Sequence, residues 1–196
     1  MVHAILADRG RARFLVADLE NVCEAQRLAR ESGPVDVLVN NAGIYQYGAT
    51  EHLDVASFDR LFATNVRAPY FLVAALALNM AARGGGCIIN VGSMAGHIGL
   101  AGAAAYSATN AALASLTRTW AAEFSPAGVR VNAVAAGPVC APIQSADQTE
   151  AIRATTLMHR VAEPQEIANV VAFLASPKAS YVTGAIVTAD GGRTAI

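Results

Sequence analysis

Two side chains in one stretch of this sequence have the type and spacing for acid–base chemistry, Ser93 and Tyr106, and a third position, Asn110, follows Tyr106 by one helical turn. The stretch runs from Cys87 to Asn110 and reads as a buried strand, a loop and the first turns of a helix. Ile88, Ile89 and Val91 form an apolar run behind Gly84-Gly85-Gly86, and Ala103 to Ala105 open an alanine-rich helix that continues through Trp120. Ser93 is then expected just past a strand's C-terminal end. Tyr106 falls in the helix's first turn, where the positive end of the helix dipole favours a phenolate, and Asn110 shares its face. A serine hydroxyl and a phenol facing one crevice make an acid/base pair. Asn65 adds a fourth candidate. Pro69, four residues later, has no amide hydrogen, so the Asn65 carbonyl lacks its helical donor and needs another partner, often water.

Strand and helix patterns alternate along the chain. Val2 to Ala7 is apolar and too short to assign by period; it reads as the end of a helix capped at Gly10, with a strand as the alternative. Arg13 to Ala17 reads as a strand, followed by Asp18 as N-cap of a helix carrying Val22, Ala25, Leu28 and Ala29, which Ser32-Gly33-Pro34 stops. Val35 to Val39 is a buried strand leading into Asn40-Asn41-Ala42-Gly43. A long helix follows from an N-cap at Asp54, with Phe58, Leu61, Phe62, Val66, Leu72, Leu76 and Met80 expected inward. Ser125-Pro126-Ala127-Gly128 turns into the strand Val129 to Val134. Glu163-Pro164 starts a last helix, with Ile167, Val170, Val171 and Leu174 inward, and Ser176-Pro177 ends it before the strand Ala185 to Ala189. This alternation predicts an α/β fold with a doubly wound parallel sheet, in one domain over residues 1–196.

With 54% hydrophobic residues the chain has enough apolar content for a substantial core. A formal net charge of -1, with charges scattered, offers no footprint for nucleic acid or an anionic membrane. The apolar run Tyr70 to Leu78 is too short to span a bilayer, and Asp8 and Arg9 interrupt the N-terminus before a signal-peptide core forms, which places the protein in the cytoplasm. Cys23, Cys87 and Cys140 suit reduced, mostly buried thiols. Neither they nor His3, His52, His97 and His159 show metal-ligand spacing, so no metal is expected.

Ser93 followed by Tyr106 on the next helix, Asn40-Asn41-Ala42-Gly43, Thr64-Asn65-Val66 and the tail Tyr181-Val182-Thr183-Gly184 with Asp190-Gly191-Gly192 resemble the short-chain dehydrogenases/reductases, in order as well as content. The resemblance implies a Rossmann-like sheet, NAD or NADP as cofactor, and hydride transfer between nicotinamide and a small alcohol or ketone. It implies Tyr106 as acid/base, Ser93 polarising the carbonyl, and Asn65 holding a helix kink whose carbonyl binds a water of the proton relay. Asp18 would touch adenine, and Asn40, Ala42 and Gly43 would let the cofactor approach. Gly137-Pro138-Val139 resembles the loop beside the nicotinamide, with Ala136 for its first proline and Ala141 for its threonine. A homo-oligomer, dimer or tetramer, is implied, with small residues on two long helices packing closely.

Two departures from the pattern stand out. The family carries lysine where this chain has Asn110. An ammonium ~5 Å from a phenol contributes ~3 kcal/mol towards the phenolate at an effective dielectric of ~20, and an amide supplies nothing comparable. A dinucleotide site also needs a glycine-rich turn after the first strand, and before Asn40 the chain has only Gly10 and Gly33. The resemblance therefore covers residues 10 to 196 and implies a fold N-terminally truncated relative to the family, with the strand at Arg13 to Ala17 expected to pair beside Val35 to Val39 in the vacancy. Cofactor binding and turnover are expected to be weak. The alternative reading is a non-catalytic relative, kept as an oligomer partner or ligand-binding module. Each residue also has a plainer role: Ser93 as a helix-capping serine, Tyr106 as a packing residue, Asn65 as a backbone tie, Asp18 as an N-cap, Asn40 as a link between loops.

Overall fold

The computed structural model describes residues 2–140 and 146–196. Its sheet has four parallel strands in sequence order: β1 (Val37–Asn40), β2 (Gly86–Ser93), β3 (Val129–Ala136) and β4 (Ile186–Ala189). Register pairs Asn40 with Asn90, Ser93 with Ala136, and Ala136 with Ala189, so the strands finish along one common edge. The helices are α1 (Val2–Ala7), α2 (Val22–Ser32), α3 (Val55–Phe62), α4 (Ala68–Ala82), α5 (Ala104–Phe124), α6 (Ala146–Arg153) and α7 (Pro164–Ala175).

Strand periodicity explains how both faces are covered. Ile88, Val129 and Val131 point to one face, where they pack with Val73, Ala77 and Met80 of α4 and Leu113, Trp120 and Ala121 of α5. Cys87, Ile89 and Val134 alternate to the other, under Ile167 and Leu174 of α7. α2 lies outside α4, joined through Ala29, Leu72 and Leu76. The doubly wound α/β arrangement expected from sequence is the one observed.

The N-terminal segment differs. Arg13 to Ala17 forms no strand; Phe14 and Val16 are 74% and 77% exposed, and β1 pairs only with β2 among the described residues. The reason lies in its polar groups. Arg13 spends its guanidinium on the carbonyls of Glu31 and Ser32 at the end of α2, and Arg27 of α2 donates to the Val16 carbonyl. The segment is tied to α2 instead of to the outer edge of β1, whose Val37 and Val39 are each 41% exposed.

Asp18 is likewise not the N-cap. Its carboxylate accepts from the Glu20 amide within a local turn, and Asn21 caps α2 by accepting from Cys23 N at 2.9 Å. Asp54 does cap α3, accepting from Ser57 N at 2.8 Å. Two further expectations are corrected: Phe58 is exposed, stacked on Phe62, and only Cys87 of the three free thiols is buried, Cys23 and Cys140 being exposed.

Between α3 and α4 the helix widens into a π-turn over Ala63–Arg67, in which Ala68 N bonds back to Ala63 O. Pro69 follows directly, so the turn absorbs the donor that proline lacks. Counted through this turn, Val55–Ala82 is long and apolar enough to cross a membrane, but 56% of its most apolar window is buried, as suits a helix packed on the sheet.

At the other end of the chain, Asp190 follows β4 and accepts from Gly192 N at 2.9 Å and Thr194 N at 2.8 Å. Burial pushes its carboxyl up, but the bonds from Thr194 and Gly192 outweigh that and hold it below the usual aspartate range. A depressed carboxyl stabilises the fold above its unfolded value, and that contribution fades as pH falls through the folded one. Asp190→Asn keeps one acceptor and loses the charge. The expected cost is about 1–2 kcal/mol at pH 7 and shrinks as pH falls below the ordinary aspartate range, checked by urea unfolding across a pH series.

Candidate functional site

At the carboxyl edge of the sheet, Asn40, Asn41, Ala42, Gly43, Asn65, Tyr106, Thr109 and Asn110 line one cavity of about 180 Å³. Parallel sheets place ligands at this edge because the loops there diverge. The depth of the cavity is set by close packing of α5 on β2. A Cβ on Gly96 would fall 2.8 Å from Ala111 N, and one on Gly92 would fall 3.2 Å from Asn110 Oδ1, so glycine at both positions lets the helix settle against the strand end. Asn110, 9% exposed, donates from Nδ2 to the Tyr106 carbonyl at 2.9 Å.

Asn65 holds the cavity's roof. Its Oδ1 accepts from Ile44 N at 2.9 Å, and its Nδ2 donates to Ile44 O at 2.8 Å and to Thr109 Oγ1 at 3.2 Å. Thr109, fully buried, donates in turn to the Tyr106 carbonyl at 2.7 Å. The sequence reading concerned the Asn65 backbone carbonyl; the side chain is an equal structural part, and Thr109 was missed because a threonine inside a helix carries no distinguishing pattern. A second buried chain runs from Asn40 Nδ2 to Asn90 Oδ1 and from Asn90 Nδ2 to Thr117 Oγ1, each at 2.8 Å. It ties the end of β1 to β2 and α5, so Asn40 links two strands and a helix where a link between loops was expected.

Ser93 ends β2, and its hydroxyl accepts from Ala95 N at 3.2 Å. It lines a smaller crevice with His97, Gly92 and Asn110, so Asn110 and Gly92 border both spaces. Gly137, Pro138 and Val139 stand apart from the Tyr106 cavity. Gly137 packs on Asp190, where a Cβ would approach its Cα to 2.4 Å, Pro138 borders a separate cavity with Arg160 and Glu166, and Val139 bridges to Ala162. Asp18 is in none of these groups, and Ala141 lies outside the described residues. No group of three or more metal-ligating side chains occurs among the described residues.

Two tyrosines also stand at the site, and the sequence reading passed over them. Tyr45 borders the cavity, and Tyr47 lies edge-on to Tyr106 with ring centroids 6.1 Å apart. Burial, then the neighbouring Tyr106 and Tyr45, push the Tyr47 phenol above its usual value, so it stays neutral through physiological pH. The signal available was the spacing Tyr-Gln-Tyr between Asn40-Asn41-Ala42-Gly43 and Gly48.

A parallel α/β sheet with a phenol and amides in one cavity at its carboxyl edge and a serine beside it is an arrangement suited to binding a nucleotide and moving a proton next to it. Comparison with known proteins makes this specific: a family model described as enoyl-(acyl carrier protein) reductase matches residues 2–194, and the chain belongs to the short-chain dehydrogenase/reductase family. It is 41% identical over 174 residues to cis-4-hydroxycyclohexanecarboxylate dehydrogenase of Sinomonas cyclohexanicum, covering 87% of this chain and 70% of that protein. It is also 41% identical over 176 residues to the inactive 2-(S)-hydroxypropyl-CoM dehydrogenase 2 of Xanthobacter autotrophicus, covering 85% of this chain and 76% of that one. Among solved structures, a putative betaketoacyl-ACP reductase superposes with a TM-score of 0.91 at 50% identity, covering 100% of this chain and 83% of its own. A putative NAD(P)-dependent gluconate 5-dehydrogenase from Beutenbergia cavernae with bound NADP superposes at 0.94 and 34% identity, covering 100% and 82%.

NAD and NADP are the cofactors of this family's dehydrogenases. The groups around Tyr106 suit the nicotinamide half of such a molecule: Asn41, Ala42 and Gly43 are exposed beside the cavity, so their backbone is open to a ligand. The pyrophosphate half has no counterpart in the two glycines before Asn40. Gly33, at φ 72°, closes α2, and a Cβ on Gly10 would strike Ile5 at 2.7 Å. Neither opens a helix N-terminus towards a ligand.

Proposed function

We propose that this chain is an NAD(P)-dependent oxidoreductase of small secondary alcohols and ketones whose proton-transfer site is complete apart from the cation that Asn110 does not supply. The observation that carries this reading is the shared cavity of Tyr106, Asn65 and Asn110 at the carboxyl edge of the sheet, with Ser93 one residue from Gly92 on its border. NAD(P), when bound, accepts or gives the hydride. Asn41, Ala42 and Gly43 would hold the cofactor beside the Tyr106 cavity, while Gly137, Pro138 and Val139 follow β3 outside that cavity and would meet it only from the Ser93 side. The Tyr106 hydroxyl gives its proton to the carbonyl oxygen on reduction and takes it back on oxidation. Ser93 donates a hydrogen bond to that oxygen, and Asn65, through Ile44 and Thr109, keeps the first turn of α5 in place.

A second reading, a non-catalytic oligomer partner or ligand-binding module, is favoured by one observation. The Asn110 amide is occupied with the Tyr106 carbonyl and brings no positive charge to the phenol. Self-association as dimer or tetramer fits the exposed Tyr70 and Leu78 on α4, and the three free thiols suit a reducing cytoplasm.

Calorimetric titration with NADH and NADPH, followed by oxidation assays on cyclic and open-chain secondary alcohols, separates the two. Micromolar to millimolar cofactor binding, with slow turnover that Tyr106→Phe lowers at least about 100-fold, is the expected result. Absence of binding up to millimolar cofactor removes the enzyme reading and leaves the second.

A further inference from the structure

Tyr45 and Tyr47 are 67% and 58% exposed, on a segment that the fold nevertheless holds still. On one side Ile44 is fixed through both its N–H and its C=O by Asn65. On the other, Gly48 N donates to Gly102 O at 2.8 Å, and the two glycines approach so closely that a Cβ on Gly102 would touch the Gly48 backbone at 3.6 Å. Only Tyr45, Gln46 and Tyr47 lie between these anchors. Tyr45 faces the Tyr106 cavity, whereas Gln46 faces a separate apolar cavity lined by Phe58 and Phe62. The two tyrosines lead from solvent to the reacting phenol: ring centroids are 5.6 Å apart from Tyr45 to Tyr47 and 6.1 Å from Tyr47 to Tyr106.

The rings meet at interplanar angles of 47° and 66°, so no face is covered by another tyrosine stacked flat upon it. Exposed aromatic faces held rigidly beside a reaction centre are placed to desolvate a ligand at little entropic cost. A flat ring makes such contact over its whole face, and an open chain must give up internal rotations to do the same.

We propose that Tyr45 and Tyr47 form the specificity wall of the Tyr106 site and select an alcohol or ketone borne on or next to a flat ring over an open-chain one. The proposal rests on the oxidoreductase reading for its substrate class, but the binding it asserts is measurable without turnover. Gln46, turned to the other side, takes no part.

The test compares acetophenone with 2-octanone, which have equal carbon number, by ligand-observed NMR titration of the full chain with and without NADH. The proteins are the wild type, Tyr47→Ala, the double variant Tyr45→Ala/Tyr47→Ala, Tyr47→Phe and, as a control on a fully exposed tyrosine elsewhere, Tyr181→Ala. The expected result is acetophenone affinity falling about 10-fold in the double variant and about 3-fold in Tyr47→Ala, while Tyr47→Phe stays within about twofold. Binding of 2-octanone changes less than about twofold throughout, and Tyr181→Ala alters neither ligand. Equal losses for both ketones, no loss in the double variant, or no saturable acetophenone binding to the wild type overturns the proposal. Ring-selective binding without turnover on addition of NADPH or NADH, the hydride donors a ketone needs, sustains the wall and removes the oxidoreductase reading; turnover without ring preference does the reverse.

Discussion

Asn65→Ala is expected to lower the stability of the fold by about 3 kcal/mol, a large effect for one uncharged side chain. The residue is 9% exposed, and its amide makes three hydrogen bonds, two to the backbone of Ile44 and one to Thr109. Truncation leaves the Ile44 N–H and C=O without those partners, and each such loss costs about 1–3 kcal/mol. In a chain of this length the melting temperature falls by roughly 6–12 °C, since each kcal/mol moves it by about 2–4 °C. Asn65→Asp gives little relief, because the carboxylate retains the acceptor for Ile44 N but opposes the Ile44 carbonyl. Scanning calorimetry on both variants checks the size, and hydrogen exchange at the Ile44 amide checks the place. A melting temperature within about 2 °C of the wild type would show that water replaces the amide at no cost.

Asn110→Lys is expected to raise kcat/KM for alcohol oxidation by about 10- to 100-fold. The upper figure is the rate equivalent of the ~3 kcal/mol that an ammonium at ~5 Å gives to a developing phenolate at an effective dielectric of ~20. Two features of the site allow the longer side chain: the cavity of about 180 Å³ beside Asn110 and the absence of a Cβ on Gly92. The gain is reduced by loss of the Asn110 bond to the Tyr106 carbonyl and by the rotamer entropy of lysine. Initial rates between pH 6 and 10 with NAD and NADP would also show the rise in activity shifted to lower pH, since the added positive charge favours the ionised phenol. If the cofactor binds the variant and the rate is unchanged, the missing cation is not what limits this chain, and the non-catalytic reading gains.

Both variants concern side chains whose positions in the chain were legible, but whose partners were not. Asn65 stood out because Pro69 follows it by one turn, a local fact about a missing amide hydrogen, and the π-turn is the consequence. Thr109, which links Asn65 to the first turn of α5, is 44 residues away in sequence, and no local pattern pairs them. Tyr45 and Tyr47 look like ordinary loop residues until α5 brings Tyr106 to 6.1 Å from Tyr47. Local grammar misled at Arg13 to Ala17. Its β-rich pattern is real, but a strand needs a neighbour, and the arginines at 13 and 27 satisfy its surroundings through α2 instead.

By itself the sequence determined the four strands of the parallel doubly wound sheet and the main helices between them, the cap at Asp54, the helix start at Glu163-Pro164, and the identity of Ser93, Tyr106, Asn65 and Asn110 as the groups to watch. These follow from short-range chemistry: apolar periodicity, the missing amide of proline and the spacing of a helical turn. Tertiary structure alone decided that β1 has no second neighbour among the described residues, that Gly137 through Val139 stand apart from the Tyr106 cavity, and that two exposed tyrosines are fixed beside it. Those outcomes depend on which distant backbones approach closely enough to exclude a Cβ or share a hydrogen bond, a condition set by packing between elements and not encoded within any one of them.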